Sequence, residues 1–352
     1  GIRSLHVVGA TAQLTGGRIE QGEPVVGGDA LHAEQGAQVT ASGPLDIAVS
    51  GSGAPGEGPA VGVRADTGAS IVLQGGSVSM TGASNARGVL ATSGGAITLH
   101  GVSVTTQADG AHAAQAGAPG HPLADGTRVE LDGATVRTAG AGAHGLYADQ
   151  SDGLVTGSAD VAVSGAGAMA ALAANGGTVA LHSGKLKAAG DGAAAAGATS
   201  GGTLRLGAVD VQSDRGDGIA LADSAVLDVQ GARVRAAGAG ISSSLTQAGQ
   251  HQSISIVAAT QWMVSGPLLQ VTRSGAGADG KVDAAWAAGA QVRGDLIDTG
   301  GASGPGGLYV TLGDGASYEG RTDGVRQFAA TGNTRLSFPA GSTLGSLSVA
   351  AG

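Results

Sequence analysis

The sequence has no cysteine, which removes thiolate metal sites, cysteine nucleophiles and disulfides from consideration. Aromatic residues make up only 2% of the 352 residues and charged residues 13%. A compact globule of this length normally fills its centre with large rings, so here small residues must fill a narrow core. No run of 18 apolar residues occurs, so this fragment has no helical membrane span. The 18 Lys and Arg are scattered along a chain of net charge -9, and no basic face for phosphates is expected, hence no nucleic-acid partner. The opening residues GIRSLHVVGA lack a signal-peptide pattern.

Glycine is abundant instead, at 68 residues, but it does not recur at every third position, which excludes collagen. The 42% of hydrophobic residues argues against disorder. The chain repeats itself: RGVLATSGGAITLHGVSV at 87–104 has a counterpart in AALAANGGTVALHSGKLKA at 170–188. An apolar residue followed five places on by another recurs as Leu14/Ile19, Leu73/Val78, Leu99/Val104, Leu131/Val136, Leu181/Leu186, Leu206/Val211 and Val229/Val234. Two variants, from Val39 to Leu45 and from Val155 to Val161, are one residue longer. A period of this order marks a solenoid.

Within each unit apolar and polar residues alternate, as in Arg128-Val129-Glu130-Leu131-Asp132, the signature of a strand with one buried face. A third short strand precedes each anchor, for example Gly88-Val89-Leu90-Ala91 and Gly145-Leu146-Tyr147-Ala148. Three short strands joined by glycine corners predict an all-β fold, a parallel β-helix whose coils pair with one another. Regular coils are expected over 1–244 and less regular ones over 245–352, where both Trp, both Phe and two of the three Tyr lie. A continuation beyond Gly352 is expected.

Extra residues near 50–60 and 107–126 predict two loops that leave one corner side by side and form a contact surface. Its candidate residues are Ser52, Pro55 and Glu57 in the first, with His112, Gln115, Pro119, His121 and Pro122 in the second. The tripeptides Arg215-Gly216-Asp217, at a corner, and Arg293-Gly294-Asp295, running into a strand, are candidate integrin motifs.

Catalytic chemistry finds little support. TSGGA at 92–96 and TSGGT at 199–203 occupy equivalent turns, and no nucleophile elbow occurs. The eight histidines form no i, i+4 pair, and no metal site or cofactor is expected. Asp210, Asp214, Asp217, Asp223 and Asp228 could supply the carboxylates of a carbohydrate-active β-helix, but they mostly flank turn glycines, where they cap backbone groups.

The coil pattern over roughly 5–240 resembles the passenger domain of pertactin-type autotransporters. So does the later order GAQVRGDLIDTGG, GASYEGRTDGVRQF and STLGSLSVAAG at 289–301, 315–328 and 342–352. The resemblance implies a right-handed β-helix, secreted or displayed on the bacterial outer membrane, with no catalytic residues. It further implies a virulence factor that acts in adhesion, serum resistance or complement evasion. One branch of that family captures the complement-component-one esterase inhibitor, a plasma serpin. The expected partner is therefore a host extracellular protein, that serpin or an integrin, bound by a monomer.

Overall fold

The computed structural model describes residues 4–22, 28–50, 59–82, 84–257, 260–302 and 306–350. Strands make up 57% and helix 1% of it. The chain forms two compact units, Gly1–Ala193 and Ala194–Gly352. Each is a parallel β-solenoid with three strands per coil, and the units together make about 12 turns. No helix among the described residues is long and apolar enough to cross a membrane.

In Gly1–Ala193 the repeat anchors become three inward stacks. Val63, Val89, Ala114 and Leu146 line up on the first side of successive coils. Leu73, Leu99 and Leu131 do so on the second side, and Val78, Val104 and Val136 on the third. None of these ten residues is more than 2% exposed. Each buried Leu or Val contributes about 1.5–3 kcal/mol, and the stack supplies that burial only because the next coil closes it. The Thr-Ser-Gly-Gly turn is a corner, in which Ser93 and Gly94 take successive positive φ of 51° and 80°.

Three anchor residues fall elsewhere. Ala41, not Val39, stands in the column of Leu73, and Ile47, not Leu45, in that of Val78. Val155 pairs with Val129, so that Gly157 faces Leu131. In both coils the column position is filled by a small residue two places after the larger apolar one, and a pattern read from the chain alone has no register mark to choose between them.

The expected pair of side-by-side loops is also corrected. Residues 107–126 contain a regular first-side strand, His112–Ala116, and the extra residues lie after it, before the strand Arg128–Thr138. The segment near 50–60 instead follows a third-side strand, Leu45–Val49. The two insertions therefore depart from different corners. Ser52, Pro55 and Glu57 lie outside the described residues.

In Ala194–Gly352 the inward stacks are built from larger side chains. Ile219, Ile241, Leu269 and Leu296 line the first side. Leu206, Val229, Ile256, Trp286 and Leu312 line the second. Tyr318 packs on Phe328 and Phe338 with ring centroids 5.2 and 5.5 Å away. An ion pair is wholly enclosed: Arg273 Nε donates to Asp298 Oδ1 at 3.0 Å, with side chains 2% and 0% exposed. Asp298 also accepts the N–H groups of Gly300 and Leu308, at 2.9 and 3.0 Å. Every oxygen of the buried carboxylate is thereby occupied.

Candidate functional site

Outward positions of the first side form a column one coil apart: His6, His32, Arg64, Leu90, Gln115 and Tyr147. Beside it runs a second column in which Arg87 faces His112. In Gly1–Ala193 these columns gather side chains that the chain order separates by 25 to 32 residues per step.

The larger group centres on His112. Its ring stacks on His144 at 4.9 Å and tilts against Tyr147 at 4.7 Å. The His144 N–H donates to His112 Nδ1 at 3.1 Å, and the Met169 N–H donates to His144 Nδ1 at 3.0 Å. Each Nδ1 is thus an acceptor and each proton sits on Nε2. Burial, with Arg87 adding repulsion, lowers the pKa of His112 to about 2 and that of His144 to about 4. Both rings are neutral at physiological pH, and neither is poised for proton transfer there.

Arg87 holds this group to the neighbouring coil. Its Nε donates to Gln115 Oε1, and its Nη1 to the carbonyls of Ala86 and Gly110 at 3.0 and 3.1 Å. Burial lowers its pKa to about 10. Burial also raises Tyr147 to about 12, with the Asp149 carboxylate adding to the shift. Asp149, 2% exposed, accepts from Asn175 Nδ2 at 2.8 Å.

From this platform the extended segment departs. Gly117 turns with φ +77°, and a Cβ there would lie 1.7 Å from the Asp149 carbonyl oxygen, so only glycine fits. At the far end, Thr127 Oγ1 donates to the Ala124 carbonyl at 2.9 Å and accepts the Gly94 N–H at 2.8 Å. Asp152 Oδ2 accepts the Ala124 N–H at 3.0 Å. Between these anchors Pro119 and Pro122 are exposed, and Leu123 is 60% exposed. His121 is half-buried, its pKa lowered by burial and by Arg64. Of the five predicted residues of this segment, Pro119, His121 and Pro122 lie on it. His112 and Gln115 do not: they are buried in the strand beneath, because the first-side strand has to be completed before the chain can leave.

A second cluster brings together histidines that lie far apart in the chain. His6 and His32 stack at 4.6 Å, His6 Nε2 lies 3.1 Å from Glu34 Oε1, and ligand atoms of all three lie within 4.8 Å of one another. Asp29 and Asp66 flank His32 at 3.3 and 3.2 Å, and Arg64 reaches both carboxylates. The sequence carries the signal, since His6 and His32 are one coil apart, a spacing that helical i, i+4 pairing does not cover.

Both Arg-Gly-Asp copies sit at corners, where their aspartates cap the next coil. Asp217 Oδ1 accepts the Ala239 N–H at 2.7 Å, and Asp295 Oδ1 the Arg321 N–H at 2.9 Å. Asp109, outside any such tripeptide, does the same for Ala141 at 2.8 Å. Gly216 and Gly294 are half-buried, Arg215 and Arg293 exposed. The five aspartates near 210–228 are not gathered. Asp210 pairs with Arg233 on the third side, Asp228 with Arg205 on the second, and Asp223 accepts from Gln250.

The chain matches no protein-family model, and no curated protein matches it in sequence. The likeness to autotransporter passengers therefore rests on the parallel β-solenoid.

Proposed function

We propose that this protein is an autotransporter passenger, displayed on or released from the bacterial outer membrane, that captures a host extracellular protein without chemistry. The observation that carries the reading is the segment 118–126. It exposes an apolar side chain, Leu123, yet is tied down at both ends by Gly117, Thr127 and Asp152. Surface chain of this kind presents side chains at low ordering cost, which suits protein recognition. The most specific form of the proposal is a plasma serpin partner, the complement-component-one esterase inhibitor, held so that its proteases cannot reach it.

The test is a pull-down from human plasma with the purified chain, quantified by mass spectrometry. Stoichiometric, intact serpin in the eluate supports capture. Replacing Pro119–Ala124 by a Gly-Ser linker then removes it while the strand signal in circular dichroism is retained. An eluate without enriched plasma protein sinks the reading and leaves integrin adhesion. Adhesion is best probed with Arg215→Ala, since Asp217 has a structural duty at its corner.

A further inference from the structure

The third side of Ala194–Gly352 is interrupted. The strand Gln261–Val264 pairs with Arg233–Ala236, and Gln291–Arg293 with Ser317–Glu319, but among the described residues no ladder joins Gln261–Val264 to Gln291–Arg293. The chain is fastened on both flanks of this gap. The Ala287 N–H donates to the Ile256 carbonyl at 2.9 Å, and the Leu268 N–H to that of Asp295 at 2.9 Å. Between the two fastenings opens a cavity of about 430 Å³ lined by Gln261, Trp262, Gln291 and Arg293. A second, of about 350 Å³, shares Gln291 and Arg293 and continues over Ser317, Ser337 and Arg335.

The same side collects positive charge. Arg233 and Arg235 stand on one strand, Arg293 and Arg335 on two others, all exposed. Arg233 is engaged by Asp210 at 3.2 Å and Arg293 by Glu319 at 3.5 Å. Among the described residues, Arg235 and Arg335 have no ion-pair partner. In a chain of net charge -9 this is a local reversal of sign, hidden from the sequence because its members are 42 to 58 residues apart between strands. The four coil steps from Arg235 to Arg335 span about 19 Å at the strand spacing of a sheet, long enough for several sugar rings.

We propose that this trough binds an acidic oligosaccharide, a chain of sugars bearing carboxylate or sulfate groups. The fastened flanks exclude an added β-strand, which would have to run through both. Planar guanidinium and amide donors suit oxyanions and hydroxyls arranged in pairs. Trp262 stands in register with the inward-facing Val234, its ring against Gly240, and lines the cavity from its inner side, so it offers an apolar surface to a sugar ring that enters the gap. Ser317 and Ser337 leave the hollow that the rings would occupy.

The experiment is calorimetric titration of the full chain with a heparin-derived octasaccharide, a hyaluronan octasaccharide, and single-stranded DNA of matched charge. At least one oligosaccharide binds more tightly than the DNA, and which one identifies sulfate or carboxylate as the recognised group. Arg235→Ala and Arg335→Ala each weaken binding about three- to fivefold, as expected for exposed charges, with unchanged thermal midpoints. Lys185→Ala with Lys187→Ala, on the other unit, leaves binding intact. Equal or tighter binding of DNA, binding of neither sugar, or loss only in the lysine variant overturns the proposal.

Discussion

At the scale of single residues, the buried imidazoles make a pH prediction with a definite sign. His112 and His144 bind protons far less readily folded than unfolded, their pKa values standing near 2 and 4 against 6.5. The unfolded chain therefore takes up more protons as pH falls below 6.5, and stability present at pH 7 is lost on acidification toward the folded values. Between pH 7 and pH 5 the loss should be about 1–2 kcal/mol per histidine, measured by urea unfolding, and a double His→Gln variant should flatten the slope. Gly117 gives a second prediction. Gly117→Ala places a methyl against the Asp149 carbonyl at a positive φ and should cost about 2–4 kcal/mol, read from the denaturation midpoint. A variant as stable as the parent would mean that the segment after Ala116 leaves by another path.

At the scale of the element, the coil corner decides what a polar residue is for. Asp109, Asp217 and Asp295 each accept an N–H from the next coil. Asp217→Ala should lower stability by about 1–2 kcal/mol with no integrin present, the cost of an orphaned backbone donor. If the midpoint is unchanged, the corner cap is not structural and the tripeptide regains interest as a ligand. The enclosed Arg273–Asp298 pair is more demanding. Asp298→Ala strands a guanidinium at 2% exposure and should cost about 3–5 kcal/mol in equilibrium unfolding. The double variant with Arg273→Met should recover much of that loss, since no lone charge then remains.

At the scale of the whole molecule, neighbours in space are neighbours by coil. His6 meets His32, His100 meets Asp132 at 3.0 Å, and His112 meets His144, each pair separated by one coil's length. A search for sites at helical or loop spacing passes over all three. The same geometry turns scattered arginines into a strip on one side of Ala194–Gly352, where the expectation was of no basic face. A polysaccharide lyase needs carboxylates facing one groove, and Asp210 and Asp228 lie on different sides of the coil. The proposed capture of a protein rests on the segment 118–126 and its anchors.

The sequence by itself determined the architecture. Period-two alternation, glycine corners and a repeat of about one coil leave little else for a chain this poor in aromatics, because a lone coil cannot close its own apolar face. It also marked Pro119 and Pro122 as exposed. Only the tertiary structure decided register at Val39 and Val155, where the position in the column is taken by a small residue two places on, Ala41 or Gly157. It alone placed the strand His112–Ala116 inside a stretch that reads as loop, since Ala and Gln carry no alternation there. And it alone assembled the His112–His144–Tyr147 platform and the arginine trough, because stacking between coils joins residues whose spacing along the chain varies with every insertion.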